Sequence, residues 1–234
     1  MHSWRSPRPR RRHLQPVDRA SPAEIPMLGF LGEAIRNYRQ TGAVAPSSRA
    51  LASSMVSKLS QFKGHRRILE VGSGTGAFTR RILEQMTAGD RLDAVEINAP
   101  FAETLESRFL QPHRDANPEQ VVRVHACAIE EADLEGPYHV VVCGLPFNNF
   151  PLELTRRIFS IMLDVMEPGG WLSYFEYLAM RPLKAPFVGS SGRSALQAHG
   201  DYLGDLEGRL NGQRRLIVGN IPPAWSVHLQ AVAT

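Results

Sequence analysis

Apolar and polar positions alternate along the chain in blocks of two kinds, which predict a succession of strands and helices. Short strands are predicted at 67–71, 92–96, 121–126 and 138–143. The last of them is a nearly continuous apolar run, as expected of a strand buried on both faces. Amphipathic segments with helical spacing lie between or after them, at 77–87, 98–110 and 152–166. This rhythm predicts an α/β fold whose parallel sheet is covered by helices on both faces.

The last third of the chain departs from this rhythm. Pro168-Gly169-Gly170 predicts a turn into a strand at 171–178, and a helix is predicted at about 193–210. Two further apolar runs, 216–221 and 225–229, predict strands joined by Pro222-Pro223.

The N-terminal part has two compositions. Residues 1–25 are rich in Arg, Pro and Ser, which predicts a disordered basic arm. Apolar residues then recur at helical spacing from Met27 to Tyr38, with arginines on the other face. Such a helix either packs on its own domain or lies on a membrane surface. A second helix, capped by Ser47 or Ser48, is predicted at about 49–61. We therefore divide the chain into an arm (1–25), N-terminal helices (26–62) and one domain (63–234) with an insertion at 181–214.

Composition and charge narrow the function classes. A hydrophobic content of 43% and a charged content of 21% over 234 residues are typical of a globular protein. The net charge of +4 comes from the arm, which suits an anionic partner such as a membrane surface or a nucleic acid. The two cysteines and scattered histidines have no metal-ligand spacing, so no metal site is expected. No apolar run is long enough to span a bilayer, and no secretory leader is visible, which favours a cytoplasmic location.

The first predicted strand ends in a turn with alternating glycines. Glu70 is followed by Val71, Gly72, Ser73, Gly74, Thr75 and Gly76, and an amphipathic segment begins at Ala77. Glycines at a strand-to-helix turn let a ligand approach the main chain closely. Glu96, at the end of the second strand, is placed to accept hydrogen bonds from the hydroxyls of a ribose.

The run E-V-G-S-G-T-G (70–76) resembles the first motif of class I S-adenosyl-L-methionine (SAM)-dependent methyltransferases. The resemblance implies a Rossmann-like, seven-stranded, mostly parallel sheet with a closing antiparallel hairpin, and SAM as cofactor. It places the SAM-binding residues at the carboxyl ends of the first four strands. They are Glu70, Gly72, Ser73, Gly74, Gly76, Glu96, Ile97, Ala128, Ile129 and Cys143. Contacts with the adenine are expected from backbone groups near Ala128 and Ile129 or from Glu130.

Several segments together make the chain similar to the bacterial phospholipid N-methyltransferases. They are G-A-V-A-P-S-S-R-A-L (42–51), E-V-G-S-G-T-G (70–76), C-G-L-P-F-N-N-F-P (143–151), P-G-G (168–170) and N-I-P-P-A-W (220–225). The resemblance implies N-methylation of phosphatidylethanolamine or of an aminolipid such as ornithine lipid, at the inner face of the membrane. It also makes 181–214 the expected position of a substrate lid.

The loop after the fourth strand bears on the acceptor. Gly144-Leu145-Pro146-Phe147 resembles the N-P-P-Y loop of nucleobase amine methyltransferases, but Gly144 stands where that loop has an amide or acid. This difference counts against a nucleic-acid acceptor, although an RNA adenine dimethyltransferase-like enzyme and a non-catalytic SAM-binding protein remain alternatives. Methyl transfer needs a neutral amine, which an apolar crevice favours. Candidate groups around that amine are Tyr38, Gly144, Asn148 and Tyr177.

Overall fold

A seven-stranded sheet forms the centre of the protein, in the order β3-β2-β1-β4-β5-β7-β6. The computed structural model describes residues 47–147, 150–178 and 190–232. The strands are β1 Arg67–Val71, β2 Arg91–Val95, β3 Val121–His125, β4 Tyr138–Cys143, β5 Met166–Tyr177, β6 Gln213–Ile217 and β7 Ala224–Gln230. Strands β1 to β5 are parallel, and β7 runs antiparallel to both β5 and β6. The predicted fold class is therefore confirmed.

Helices cover both faces of this sheet. In chain order they are α1 Arg49–Met55, α2 Ala77–Leu83, α3 Ala99–Leu105, α4 Gln111–Ala116, α5 Leu152–Asp164 and α6 Ser190–Arg209. A 3₁₀ turn, Ser57–Gln61, follows α1, and a π-helical segment, Glu106–Leu110, joins α3 to α4. None of the helices in the described ranges is both long and apolar enough to cross a bilayer.

Two apolar clusters lie on the opposite faces of the sheet. Side chains of α1 and α2 pack on one face, where Leu51, Met55 and Phe78 are buried with Phe175. Side chains of α5 and α6 pack on the other, with Phe159 and Leu206 among those buried against the sheet. Strand β4 lies between the clusters and is almost wholly buried, as its continuous apolar run predicted.

Two boundaries near the C-terminus differ from the predicted ones. Strand β5 begins at Met166 and includes the Pro-Gly-Gly segment that was expected to be a turn. Strand β6 is Gln213–Ile217 instead of 216–221, because β6 is an edge strand with a polar, mostly exposed beginning. Residues 218–223, although aliphatic in part, form the turn that leads to β7.

Candidate SAM and acceptor site

The glycine turn connects β1 to α2 through three residues in the left-handed region. Gly72, Gly74 and Gly76 have φ values of 73°, 55° and 83°, which residues with a Cβ rarely adopt. The Gly72 amide donates to the carbonyl of Val95 at 2.8 Å, so the turn is tied to the end of β2. A Cβ at Gly76 would lie 2.8 Å from the Phe109 ring. The three glycines thus hold a main-chain turn open at the carboxyl edge of the sheet.

Glu96 follows β2 and supports this turn directly. Its Oε2 accepts a hydrogen bond from the Gly74 amide at 2.7 Å, and its Oε1 accepts one from the Asn98 amide at 2.8 Å. Each carboxylate oxygen retains a further lone pair for a hydroxyl donor. This arrangement suits the predicted ribose contact and adds a second role, since the same carboxylate orients the glycine turn.

We expect Glu96→Ala to weaken SAM binding at least tenfold, because hydrogen bonds to a charged group contribute about 1.5–3 kcal/mol each. Isothermal titration calorimetry measures the dissociation constant, with Glu103→Ala on exposed α3 surface as the matched control. An unchanged constant in the Glu96 variant would show that the carboxylate contributes nothing to the cofactor site.

Glu70 lies in β1 with its side chain fully buried. Its Oε2 accepts from the Thr79 hydroxyl at 2.7 Å, whereas its Oε1 has no hydrogen-bond partner. Burial raises the pKa of Glu70 to about 7, an effect that the Thr79 hydroxyl opposes and the Glu96 carboxylate increases. A cationic ligand beside the unpartnered Oε1 would favour the ionised form of Glu70.

Two further buried polar atoms near the strand ends lack partners. They are the hydroxyl of Ser73, in the glycine turn, and Oε2 of Glu130, in the loop after β3. Buried polar atoms without partners are uncommon in proteins and call for a physical explanation. The Ser73 hydroxyl lies close enough to Glu70 to oppose the rise in its pKa. The hydrogen-bonding capacity left on Glu70, Ser73 and Glu130 is compatible with SAM, which has amino, hydroxyl and adenine groups.

The other predicted cofactor residues shape the crevice with apolar surface. Ala128 and Ile129 are buried in the core cluster of α5 and α6, and Ile97 packs against it. Their backbone groups remain the predicted adenine contacts, and Glu130 lies beside them with Arg157 3.6 Å away. Cys143 is fully buried, and burial raises the pKa of its thiol to about 12, so it acts as a small apolar side chain.

The loop after β4 fits closely against the glycine turn. The Gly144 amide donates to the carbonyl of Val71 at 2.8 Å. A Cβ at Gly144 would lie 2.6 Å from the Gly72 carbonyl oxygen and 3.3 Å from the Phe78 ring, and a Cβ at Gly72 would lie 2.4 Å from the Leu145 side chain. Glycine at both positions therefore lets the two loops touch. The sequence shows that Gly144 lacks an amide side chain, but this steric requirement becomes visible only in the structure.

The aromatic residues near the loop after β4 divide between the core and the carboxyl end of β5. The Phe147 ring is 1% exposed and packs against Phe150, Phe159 and Tyr174, so it stabilises the core. Tyr177 ends β5 and lies against Phe175, with ring centroids 5.1 Å apart. The Phe175 ring contacts Phe78, which brings Tyr177 to the same side of the sheet as the Gly144 contact.

Other candidates lie outside the described residues, namely Tyr38, Asn148, the arm at 1–25 and the helix predicted from Met27 to Tyr38. The described part of the predicted insertion includes α6, which packs along α5. His199 lies 3.1 Å from the Thr155 hydroxyl there, and Leu203 and Leu206 are buried in the core.

Comparison with known proteins agrees with this geometry. Residues 68–170 match the family model described as "Methyltransferase domain". The ornithine lipid N-methyltransferase of Singulisphaera acidiphila is 31% identical over 146 residues, which are 60% of this chain and 72% of that enzyme. The chain belongs to the family of that enzyme, within the class I SAM-dependent methyltransferases.

Solved structures of other methyltransferases share the fold of this chain. An O-methyltransferase from Bacillus cereus in complex with SAH has a TM-score of 0.59 at 16% identity, covering 86% of this chain and 90% of that one. The O-methyltransferase TomG from Streptomyces achromogenes, in complex with SAM, has a TM-score of 0.58 at 19% identity, covering 89% and 91%. The assignment of this chain to the class I SAM-dependent methyltransferases makes SAM its cofactor.

The fold alone does not choose the acceptor. A putative rRNA-methylase from Clostridium thermocellum also shares it, with a TM-score of 0.54 at 13% identity, covering 81% of this chain and all of that one. Enzymes with one fold can methylate many kinds of acceptor molecule, so the residues of the site, and not the fold, determine which acceptor is methylated. Within the described ranges, no group of three or more His, Cys, Asp or Glu side chains is arranged to hold a metal ion.

Proposed function

We propose that this methyltransferase methylates the primary amine of a membrane lipid headgroup, either an ornithine lipid or phosphatidylethanolamine. The similarity to an ornithine lipid N-methyltransferase over 60% of the chain is the observation that carries this proposal. Bound SAM supplies an activated methyl group, and the residues of the chain bind the cofactor and position the amine.

The surroundings of Gly144 support an aliphatic amine as acceptor. The amide or acid of a nucleobase methyltransferase has no room there, because even a Cβ would lie 2.6 Å from the Gly72 carbonyl. The nearby rings of Phe78 and Phe175 make the adjoining wall apolar. Apolar surroundings favour the neutral amine, which is the form with a free electron pair, over the ammonium ion.

Backbone and side-chain groups at this edge then orient the amine. We assign the Gly144 carbonyl as an acceptor for an amine hydrogen, with the Tyr177 hydroxyl and the predicted Tyr38 and Asn148 as further partners. Alignment of two reacting groups by fixed contacts is worth several orders of magnitude in rate. An amine that binds in its neutral form needs no protein base, because methyl transfer leaves the nitrogen as an ammonium ion, which can lose its proton to water after release.

In the direct test, the full chain and methyl-labelled SAM are incubated with each of three acceptors in turn. The acceptors are ornithine-lipid vesicles, phosphatidylethanolamine vesicles and ribosomal RNA. Label in either lipid supports the proposal and identifies the headgroup. Label only in RNA would overturn it in favour of an RNA methyltransferase. Cofactor binding without label in any of the three would also overturn it. The Glu96→Ala variant is the control that ties the transfer to this site.

A further inference from the structure

The turn between β6 and β7 reverses the usual placement of polar and apolar side chains. Val218 and Ile221 are 73% and 79% exposed, whereas Asn220, next to Ile221, is 2% exposed. Leu178, which follows β5, is 45% exposed beside this turn. A buried polar residue next to exposed aliphatic ones is more informative than either alone. We call Leu178, Val218 and Ile221 the aliphatic tip.

The turn is held in place by specific hydrogen bonds. The Asn220 Oδ1 accepts from the Ser48 amide at 2.8 Å, and its Nδ2 donates to the Pro222 carbonyl at 2.8 Å. The Leu178 amide donates to the Pro223 carbonyl at 2.8 Å. The buried Asn220 therefore fixes the turn to the start of α1, and the exposure of Val218 and Ile221 follows from this anchoring.

The aliphatic tip lies at the carboxyl ends of the parallel strands, as does the SAM and acceptor site. Tyr177, the last residue of β5, is paired with Ala224, and Ala224 is paired with Ile217. Because β5 is parallel to β1 and β4, residues 218–223 lie at the same edge as the glycine turn and Gly144. A surface that rests on the tip would be close to the place where an acceptor amine must enter.

The charge near the tip is low and positive. The two segments that meet at the Asn220 anchor, 47–56 and 216–226, contain one charged residue, Arg49. Glu176, two residues before Leu178, is buried, and its carboxylate lies 3.8 Å from the Arg214 guanidinium. Arg49 is an exposed residue at the start of α1, next to Ser48, whose amide donates to Asn220. The segment with the predicted amphipathic helix joins the described chain at Ser47, at this same corner. Aliphatic side chains beside a cation, with no carboxylate in either segment, match an anionic bilayer surface.

We propose that the aliphatic tip is a membrane-docking surface that inserts between the headgroups of a bilayer containing anionic lipid. The inference rests on the proposed function, because a lipid headgroup amine reaches the protein only at a bilayer surface. Three side chains are too few for a stable protein interface, which buries about 800 Å² on each partner. Inserted into a bilayer, the same side chains lose their contact with water individually, and docking brings the headgroup layer next to Gly144.

The test compares two double variants of the full chain. Val218→Ser with Ile221→Ser removes the tip, and Val121→Ser with Val232→Ser is the matched control. Val121 and Val232 are 38% and 60% exposed and lie at the opposite edge of the sheet. Co-sedimentation uses vesicles of phosphatidylglycerol and phosphatidylcholine, which hold no acceptor amine. We expect the tip variant to partition about tenfold more weakly and the control to bind as the unmodified chain does.

The charge at the tip has its own readout. Arg49→Gln is expected to weaken binding about fivefold on vesicles with phosphatidylglycerol and to leave binding to pure phosphatidylcholine vesicles unchanged. Calorimetric SAM binding, expected to be unchanged in all these variants, verifies that they are folded.

Several outcomes would overturn the docking surface. They are no vesicle binding by the unmodified chain, equal binding by the tip variant, equal weakening in the control, and a dimer that the tip variant dissociates. Because these vesicles carry no acceptor amine, the result is independent of methyl transfer. Label in lipid without a tip effect would keep the proposed function and remove the docking surface. Weaker vesicle binding by the tip variant alone, without methylation of any lipid, would support the docking surface and overturn the proposed function.

Discussion

Gly144→Ala is expected to lower kcat/KM for the lipid acceptor about 100-fold, because displacements of about 1 Å at a reacting centre have effects of this size. The added Cβ would lie 2.6 Å from the Gly72 carbonyl oxygen and 3.3 Å from the Phe78 ring. One loop must then move away from the other, and the acceptor side of the site separates from the SAM side. Steady-state kinetics with labelled SAM, together with calorimetric SAM binding, measures both effects.

The control for this variant is Gly204→Ala, in α6. A Cβ there meets no atom within 4 Å, and the residue lies inside a helix. Activity should be unchanged, and the free energy of unfolding should rise by about 0.5–1 kcal/mol through the better helix propensity of alanine. Full activity in Gly144→Ala would show that contact between the two loops does not position the reaction.

Glu70→Gln is expected to change stability and SAM affinity in opposite directions. Because burial raises the folded-state pKa of Glu70 to about 7, its stabilising contribution is complete below its unfolded pKa and is lost as pH rises through 7. The unfolding free energy of the variant minus that of the unmodified protein should therefore increase by about 3 kcal/mol as pH rises from 4.5 to 8. SAM affinity at pH 8 should fall at least tenfold, since a neutral amide replaces a carboxylate.

Packing a glutamine at position 70 changes the stability by an amount that does not depend on pH. The pH-dependent part of the stability difference between the two proteins therefore reports only the ionisation of Glu70. Denaturant unfolding without SAM at several pH values gives the stabilities, and Glu153→Gln on the exposed start of α5 is the matched control. A difference between Glu70→Gln and the unmodified protein that stays constant from pH 4.5 to 8 would mean that Glu70 ionises freely despite its burial. Unchanged SAM affinity would separate the carboxylate from the cofactor site.

The closeness of the two loops also gives a physical reason for the departure from the N-P-P-Y pattern. An asparagine at Gly144 would need the glycine turn to lie farther from the end of β4, so it cannot be introduced without moving Gly72. The residue type at position 144 and the shape of the glycine turn are therefore linked in this methyltransferase. Exchanging Gly144 alone is not expected to create a nucleobase methyltransferase.

Much of the fold was predictable because its signals are local. Strands β1 and β4 have the predicted bounds. Strand β4 was readable because a parallel strand buried on both faces is a nearly unbroken apolar run, and β1 because the glycine turn marks its end. Strand β6 was misplaced because an edge strand needs no such run, and Arg214 in β6 pairs with Glu207 of α6. The aliphatic residues Val218 and Ile221 suggested a strand, whereas Gly219, Asn220 and Pro222 form a turn there.

The sequence by itself determined the α/β architecture and the family, since alternating apolar runs and a glycine turn between acidic strand ends are readable along the chain. It also indicated the SAM site through Glu70 and Glu96, whose spacing from the glycines is local. Only the tertiary structure decided that Phe147 belongs to the core, that Gly144 must be glycine, and that Val218 and Ile221 are exposed. These three facts depend on contacts between residues far apart in the chain, such as Gly72 with Leu145 and Ser48 with Asn220, and no periodicity in the sequence reports such distances.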